Sequence, residues 1–82
     1  MDVKDMRCVE AIADTGSFIR AAEKLNMSQP SVSARMRTLE ATLEATLFIR
    51  EARGVTLTPE GSELLVHARR ILIQFREAAD DL

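Results

Sequence analysis

The stretch that decides the fold is GSFIRAAEKLNMSQPSVSARMRTLEATL, residues 16–43. Gly16 is well placed as the left-handed residue that closes a preceding helix. Ser17 reads as the N-cap of a short helix from Phe18 to about Leu25. Phe18, Ala21, Ala22 and Leu25 share one face of it, and the paired alanines let another helix approach closely. Asn26-Met27 is a brief turn. Ser28 caps a third helix with Pro30 in its first turn, where a missing N–H does no harm. Val32, Met36, Leu39 and Leu43 then recur at spacings of four, three and four, which predicts a narrow buried stripe. With Val32 at 0° and about 100° per residue, Pro30, Ser33, Ala34 and Arg37 fall on the outward side. A short helix, a tight turn and a second helix displaying small polar residues and arginines are the pattern of a helix-turn-helix recognition element.

Upstream, Val3, Met6, Val9 and Ala13, with Cys8 and Ile12 alongside, form one stripe of a first helix. Asp2 and Asp5 lie near its start, where negative charge suits the helix dipole. Downstream the period changes. Leu47-Phe48-Ile49-Arg50 and Val55-Thr56-Leu57 are β-favouring runs, with Glu51-Ala52-Arg53-Gly54 between them. Gly54 can supply positive φ at the hairpin corner, and Arg53 stands near its tip. Thr58 caps a last helix, with Pro59 at its first position and Glu60 in its first turn.

That last helix runs from Pro59 to the end without another breaker. Leu64, Ala68, Ile71, Phe75, Ala79 and Leu82 recur along it, and Leu65 and Leu72 widen the stripe. A small core cannot cover so long an apolar seam, so its heptad-like spacing predicts a partner helix. A symmetric homodimer is the commonest solution. The predicted pairing residues are Leu64, Leu65, Ala68, Ile71, Leu72, Phe75 and Ala79. The fold class expected is mainly α: a winged helix-turn-helix over residues 1–58 and a dimerising linker helix over residues 59–82.

Composition narrows the function. Eighty-two residues make one small domain, for which oligomerisation is one of the few available sources of extra stability. Cys8 is the only cysteine and His67 the only histidine, so neither a disulfide nor a structural or sensing metal site is expected. Cys8 reads as a small buried hydrophobe and His67 as a helix-surface or seam residue. No acid–base or glycine-rich phosphate constellation exists, so the chain is not an enzyme and needs no cofactor. With no Trp or Tyr and three Phe, stacking platforms for single strands are not expected. No apolar run reaches membrane-span length and no signal pattern opens the chain, which reads as cytoplasmic. The arginines of the last helix are offset by Glu60, Glu63, Glu77, Asp80 and Asp81, so an anionic bilayer gains little from it.

Net charge is −2, which by itself argues against nucleic acid. Its distribution answers the objection. Residues 1–27 hold four basic against five acidic groups, residues 28–58 four against three, and residues 59–82 three against five. The positive third is the one that holds the third helix and the hairpin.

These residues together resemble the N-terminal domain of LysR-type regulators. The matching string is Gly16-Ser17-Phe18, Ala21-Ala22, Leu25, Ser28-Gln29-Pro30-Ser31-Val32-Ser33, Arg37, Leu39-Glu40, Leu47-Phe48, Arg50 and Gly54-Val55-Thr56-Leu57-Thr58 with Gly61. It covers nearly the whole chain in order. The resemblance implies a bacterial transcription regulator whose winged helix-turn-helix binds double-stranded DNA, and whose linker helix pairs antiparallel with its twin. Gln29, Pro30 and Ser33 match positions that meet bases in the major groove, and Arg53 matches the wing position that approaches the minor groove. Arg20, Ser28, Ser31, Arg37, Thr38 and Arg50 are the residues expected at the DNA backbone. The family usually carries an effector domain after the linker helix and often assembles as tetramers. Ending at Leu82, these residues read as the DNA-binding part alone, without a small-molecule ligand of their own.

Elementary chemistry fits those roles. Gln29 can donate and accept together, as the N6/N7 edge of adenine asks. Pro30 offers apolar surface to a thymine methyl, and Ser33 can bond to base or phosphate. Arg53 on a wing suits a narrow, A·T-rich minor groove. A dimer would read an inverted repeat with two such helices. Two departures stand out. Relatives often have a basic residue where this chain has Ala34, leaving Arg35 or Arg37 to compensate. Ala45 stands where Gly is common, and positive φ there would cost about 1 kcal/mol. The competing reading is an interaction module without DNA affinity, favoured by the acidic balance and opposed by Gln29-Pro30 and the wing.

Overall fold

The computed structural model describes residues 1–82, as α1 (Val3–Thr15), α2 (Phe18–Leu25), α3 (Gln29–Leu43), β1 (Phe48–Glu51), β2 (Gly54–Leu57) and α4 (Pro59–Asp81). The boundaries follow local chemistry. Ser17, Ser28 and Thr58 each accept the backbone N–H three residues on, at 3.1, 3.2 and 3.0 Å, and so cap α2, α3 and α4. At α1 the two aspartates do more than complement a dipole. Asp5 N–H donates to Asp2 Oδ1 at 2.8 Å and Asp2 N–H to Asp5 Oδ2 at 3.0 Å, a reciprocal capping box.

Three helices end on a left-handed residue: Gly16 (φ 67°), Asn26 (φ 55°) and Glu44 (φ 52°). Gly16 is as expected. Ala45 is not left-handed, since the only non-glycine residues of positive φ are Asn26 and Glu44. The backbone cost expected at Ala45 falls instead on Glu44, where a side chain in this conformation costs roughly 1–2 kcal/mol.

The core gathers Met6, Val9 and Ile12 of α1, Ala21 and Ala22 of α2, Val32, Met36 and Leu39 of α3, and Leu47 and Phe48 from the hairpin side. Cys8 is fully buried, and burial raises its thiol pKa, so it is a packing residue. Leu43, expected in the buried stripe, is 38% exposed because α3 outruns the core by its last turn.

The hairpin is antiparallel, pairing Phe48 with Leu57 and Glu51 with Gly54, and leaving Ala52-Arg53 as its loop. Gly54 has φ 137°, and a Cβ there would stand 2.7 Å from Gly16 O. The same carbonyl accepts from Val55 N–H at 2.9 Å, so the wing is pinned to the α1–α2 turn. Gly61 has a similar reason to be glycine: a Cβ there would collide with Leu47 O.

The structure divides the predicted pairing seam. Ala68 and Leu72, 0% and 3% exposed, pack into the chain's own core on α1 and have no surface left to pair. Leu64 and Leu65 are partly buried against that core. Of the predicted set, Ile71 (40%), Phe75 (49%) and Ala79 remain exposed. On a helical wheel, Leu64, Ile71, Phe75 and Leu82 lie on one flank, about 60–100° from Leu72. Val66 and Ile73, half exposed, occupy the opposite flank. Thus α4 is both a core helix and an overhang. Its 23 residues span about 35 Å at 1.5 Å each, and nothing after Leu72 is buried.

Candidate nucleic-acid interface

The N-terminus of α3 stands at the surface beside α2 and the wing. Its cap leaves Ser28, Pro30 and Ser31 exposed, with Ser28 Oγ donating to Ser31 Oγ at 2.7 Å. Pro30 has no N–H, and Ser31 N–H is taken by the cap. The first turn therefore presents a hydroxyl pair and an apolar ring rather than a row of free amides. Gln29 is half-buried, and its Nε2 donates to Ser33 Oγ at 2.6 Å.

Ser33 is a correction. Expected outward, it is only 5% exposed. At about 100° from Val32 it sits on the margin of the buried stripe, beside a recess of about 200 Å³ that Phe18, Phe48 and Arg50 also line. Its Oγ accepts from Gln29 and also from Arg50 Nη2 at 3.1 Å. Arg50 itself lies with its guanidinium 3.9 Å from the Phe18 ring centroid, a cation–π contact. Phe18 meets Phe48 edge to face at 5.7 Å.

Arg35, one of the two cations expected to compensate for Ala34, is engaged elsewhere. Its Nη1 reaches Asp5 at 3.0 Å and Asp2 at 3.3 Å, tying α3 to the capping box of α1. The Asp5 N–H, and then Arg35, hold the Asp2 carboxyl below its ordinary range, while the Asp5 carboxylate, and then that of Asp2, raise Arg35. Arg37 is free. The Arg37–Glu40 ion pair that their spacing allows is absent, because Glu40 Oε2 accepts from Leu47 N–H at 2.7 Å. Ala34, Arg37 and Thr38 are all exposed.

The ion pairs sort the charge in a way composition could not. Asp2, Asp5, Glu10 and Asp14 are matched by Arg35, Lys24, Arg69 and the N-terminal amine. Arg20, Arg37, Arg50 and Arg53 are exposed and belong to none of these pairs. Four of the thirteen carboxylates are thus paired around α1, and four arginines stay outside any ion pair around α3 and the wing, against two unpaired carboxylates there, Glu44 and Glu51. A net charge of −2 coexists with a locally basic face.

One residue of this face escaped the sequence reading. Ile19 is 63% exposed and borders an open groove of about 490 Å³ together with Ser17, Phe18, Gln29, Arg50 and Gly54. An isoleucine off the apolar face of α2 was the available signal. No group of three or more His, Cys, Asp or Glu side chains is placed to hold a metal, and no helix is long and apolar enough to cross a membrane.

Comparison with known proteins gives a consistent result. The family model described as "Bacterial regulatory helix-turn-helix protein, lysR family" matches residues 3–62. The HTH-type transcriptional regulator CzcR of Bacillus cereus is 43% identical over 72 residues, which is 88% of this chain and 25% of that protein. The chain therefore spans about a quarter of that relative's length. Among solved structures, the CbnR_DBD–DNA complex superposes with a TM-score of 0.92 at 36% identity, covering 99% of this chain and 93% of the other. The BenM_DBD/catB site 1 DNA complex gives 0.93 at 31% identity, covering 98% and 90%.

Proposed function

The chain belongs to the LysR family of bacterial regulatory helix-turn-helix proteins, a family of regulators and not of enzymes, and from that premise we propose that it binds double-stranded DNA sequence-specifically as a homodimer. The observation that carries this reading is the set of unpaired arginines around the exposed start of α3. DNA complexes of similar domains support it, and the reading as an interaction module without DNA affinity is not favoured beside them.

In this account α3 enters the major groove. Gln29 reads a base edge, adenine being the natural partner of its amide. Pro30 and Ile19 offer apolar surface to a thymine methyl or a sugar. Arg53, in the two-residue loop of the wing, reaches the adjacent minor groove. Arg20, Arg37, Thr38, Ser28 and Ser31 hold the phosphates and fix the docking angle. Two copies pair through the exposed flank of α4 at Ile71 and Phe75, and through Ala79 on the overhang beyond the core, and present two such surfaces to an inverted repeat. In a longer chain, dimers of this kind can assemble further into tetramers.

Salt dependence tests the reading. If Arg20, Arg37 and Arg53 each neutralise one phosphate, a dimer engages about six, and log K falls with log salt at a slope of about −5. Anisotropy of a labelled duplex across about 50–200 mM salt measures that slope. Affinity that does not change with salt, with the protein folded, would rule the reading out.

A further inference from the structure

Three side chains from α3 and β1 meet beneath the recognition surface. Gln29 Nε2 and Arg50 Nη2 both donate to Ser33 Oγ, at 2.6 and 3.1 Å. Both acceptor sites of that hydroxyl are thereby used. Arg50 is held from two further sides. Its guanidinium carbon lies over the Phe18 ring, 3.9 Å from the centroid. Its backbone lies in β1 opposite Val55, whose N–H is fixed on Gly16 O. The Gln29 amide is therefore tethered, through Ser33 and Arg50, to the base of the wing and to α2.

A free glutamine is among the side chains that lose most rotamer entropy when ordered, and a binding surface that orders it only on contact gives up affinity and selectivity. Here one Nε2 hydrogen points to Ser33, which fixes the amide plane before any ligand arrives. The other Nε2 hydrogen and Oε1 stay available. They are the donor and acceptor that an adenine edge requires.

We propose that Ser33 and Arg50 are positioning residues for Gln29, setting its amide plane and hence the base preference of α3, rather than DNA contacts themselves. The proposal rests on the DNA-reading function above. A buried hydroxyl with both acceptor sites occupied is poorly placed to meet a base. An arginine whose guanidinium sits over an aromatic ring while one of its nitrogens donates to a hydroxyl has a role that lysine cannot copy, whereas a phosphate anchor can be either.

The chain has three side-chain carboxamides, Asn26, Gln29 and Gln74, so their nitrogen-15 spectrum resolves each one. Relaxation of the free protein should show the Gln29 amide ordered and the exposed Gln74 amide mobile. Ser33→Ala and Arg50→Lys should each bring Gln29 to the behaviour of Gln74. For the DNA arm, the probe is the duplex enriched from a random pool and its variants at the base pair whose preference disappears in Gln29→Ala. Both substitutions should reduce discrimination at that pair about three- to tenfold, the worth of one ordinary hydrogen bond. In the Gln29→Ala background neither should reduce it further.

A Gln29 amide as mobile as Gln74 in the unaltered protein would overturn the proposal. So would full discrimination retained in both variants, or an equal loss on every duplex. Failure of the unaltered protein to enrich any duplex would instead overturn the DNA-reading function, whatever the Gln29 amide does.

Discussion

Leu72 and Phe75 are three residues apart on α4 and lie in opposite surroundings. Leu72 is 3% exposed, packed with Ala68 into the core against α1. Leu72→Ala should cost about 3 kcal/mol of folding free energy, within the range for buried leucines. A domain of this size has roughly 4–12 kcal/mol in total, so the midpoint should fall by roughly 12–24 °C. Phe75 is 49% exposed and touches Arg7, whose guanidinium carbon lies 5.8 Å from the ring centroid. Phe75→Ala should therefore cost the single domain only about 1 kcal/mol. Its exposed half is about 100 Å² of a side chain that buries about 200 Å² when covered. At about 25 cal/mol per Å² that is about 2.5 kcal/mol per copy and about 5 per pair. Dimerisation should weaken by roughly three to four powers of ten. Denaturant unfolding at low concentration measures the first effect, and sedimentation velocity over a concentration series the second. Two results would refute this division of roles: stability left intact by Leu72→Ala, or a Phe75→Ala domain destabilised as much as Leu72→Ala with pairing unchanged.

Other consequences can be checked by thermal melts. Gly61→Ala should prevent stable folding, because its Cβ would collide with Leu47 O and both backbones are held by the Thr58 cap and its bond to Leu47; a native-like melt would contradict this. Glu44→Gly should raise stability by about 0.5–1 kcal/mol, since Glu44 is exposed and left-handed at the end of α3; a lower midpoint would mean the side chain contributes something not apparent from its contacts. Asp2 is held below its ordinary range by the Asp5 N–H and by Arg35, so its contribution is present above about pH 4 and fades as pH falls through its lowered value. Asp2→Asn, which keeps a capping side chain, should flatten the acid limb of a stability–pH curve below about pH 4; an unchanged limb would assign acid sensitivity to other carboxylates.

Much of the fold was legible because its signals are local. Ser17, Ser28 and Thr58 as caps, Gly16 as a stop and the hairpin over residues 48–57 depend on neighbours a few positions away. The errors arose where burial is decided by distant chain. Ser33 lies at the edge of a helical wheel, and its burial depends on residues from other elements, Arg50 of β1 among them. Leu72 repeats as a seam residue would, but a heptad-like stripe does not say whether the helix opposite is α1 or another copy. Arg35 looked free until α1 brought Asp2 and Asp5 to it. The demand for glycine at residue 61 comes from a carbonyl fourteen positions earlier, that of Leu47. Among the candidate contacts, Pro30 and Arg53 are exposed, Gln29 is half-buried and donates to the buried Ser33, and the exposed Arg50 donates to the same hydroxyl.

The most direct test of sequence-specific reading by a dimer is selection of bound duplexes from a random DNA pool, with the enriched sequences read out. An inverted repeat should be enriched, its symmetry reporting two paired copies and its half-site spacing giving the separation of the two α3 helices. Folded protein that enriches no sequence at low salt would contradict sequence-specific reading by this domain.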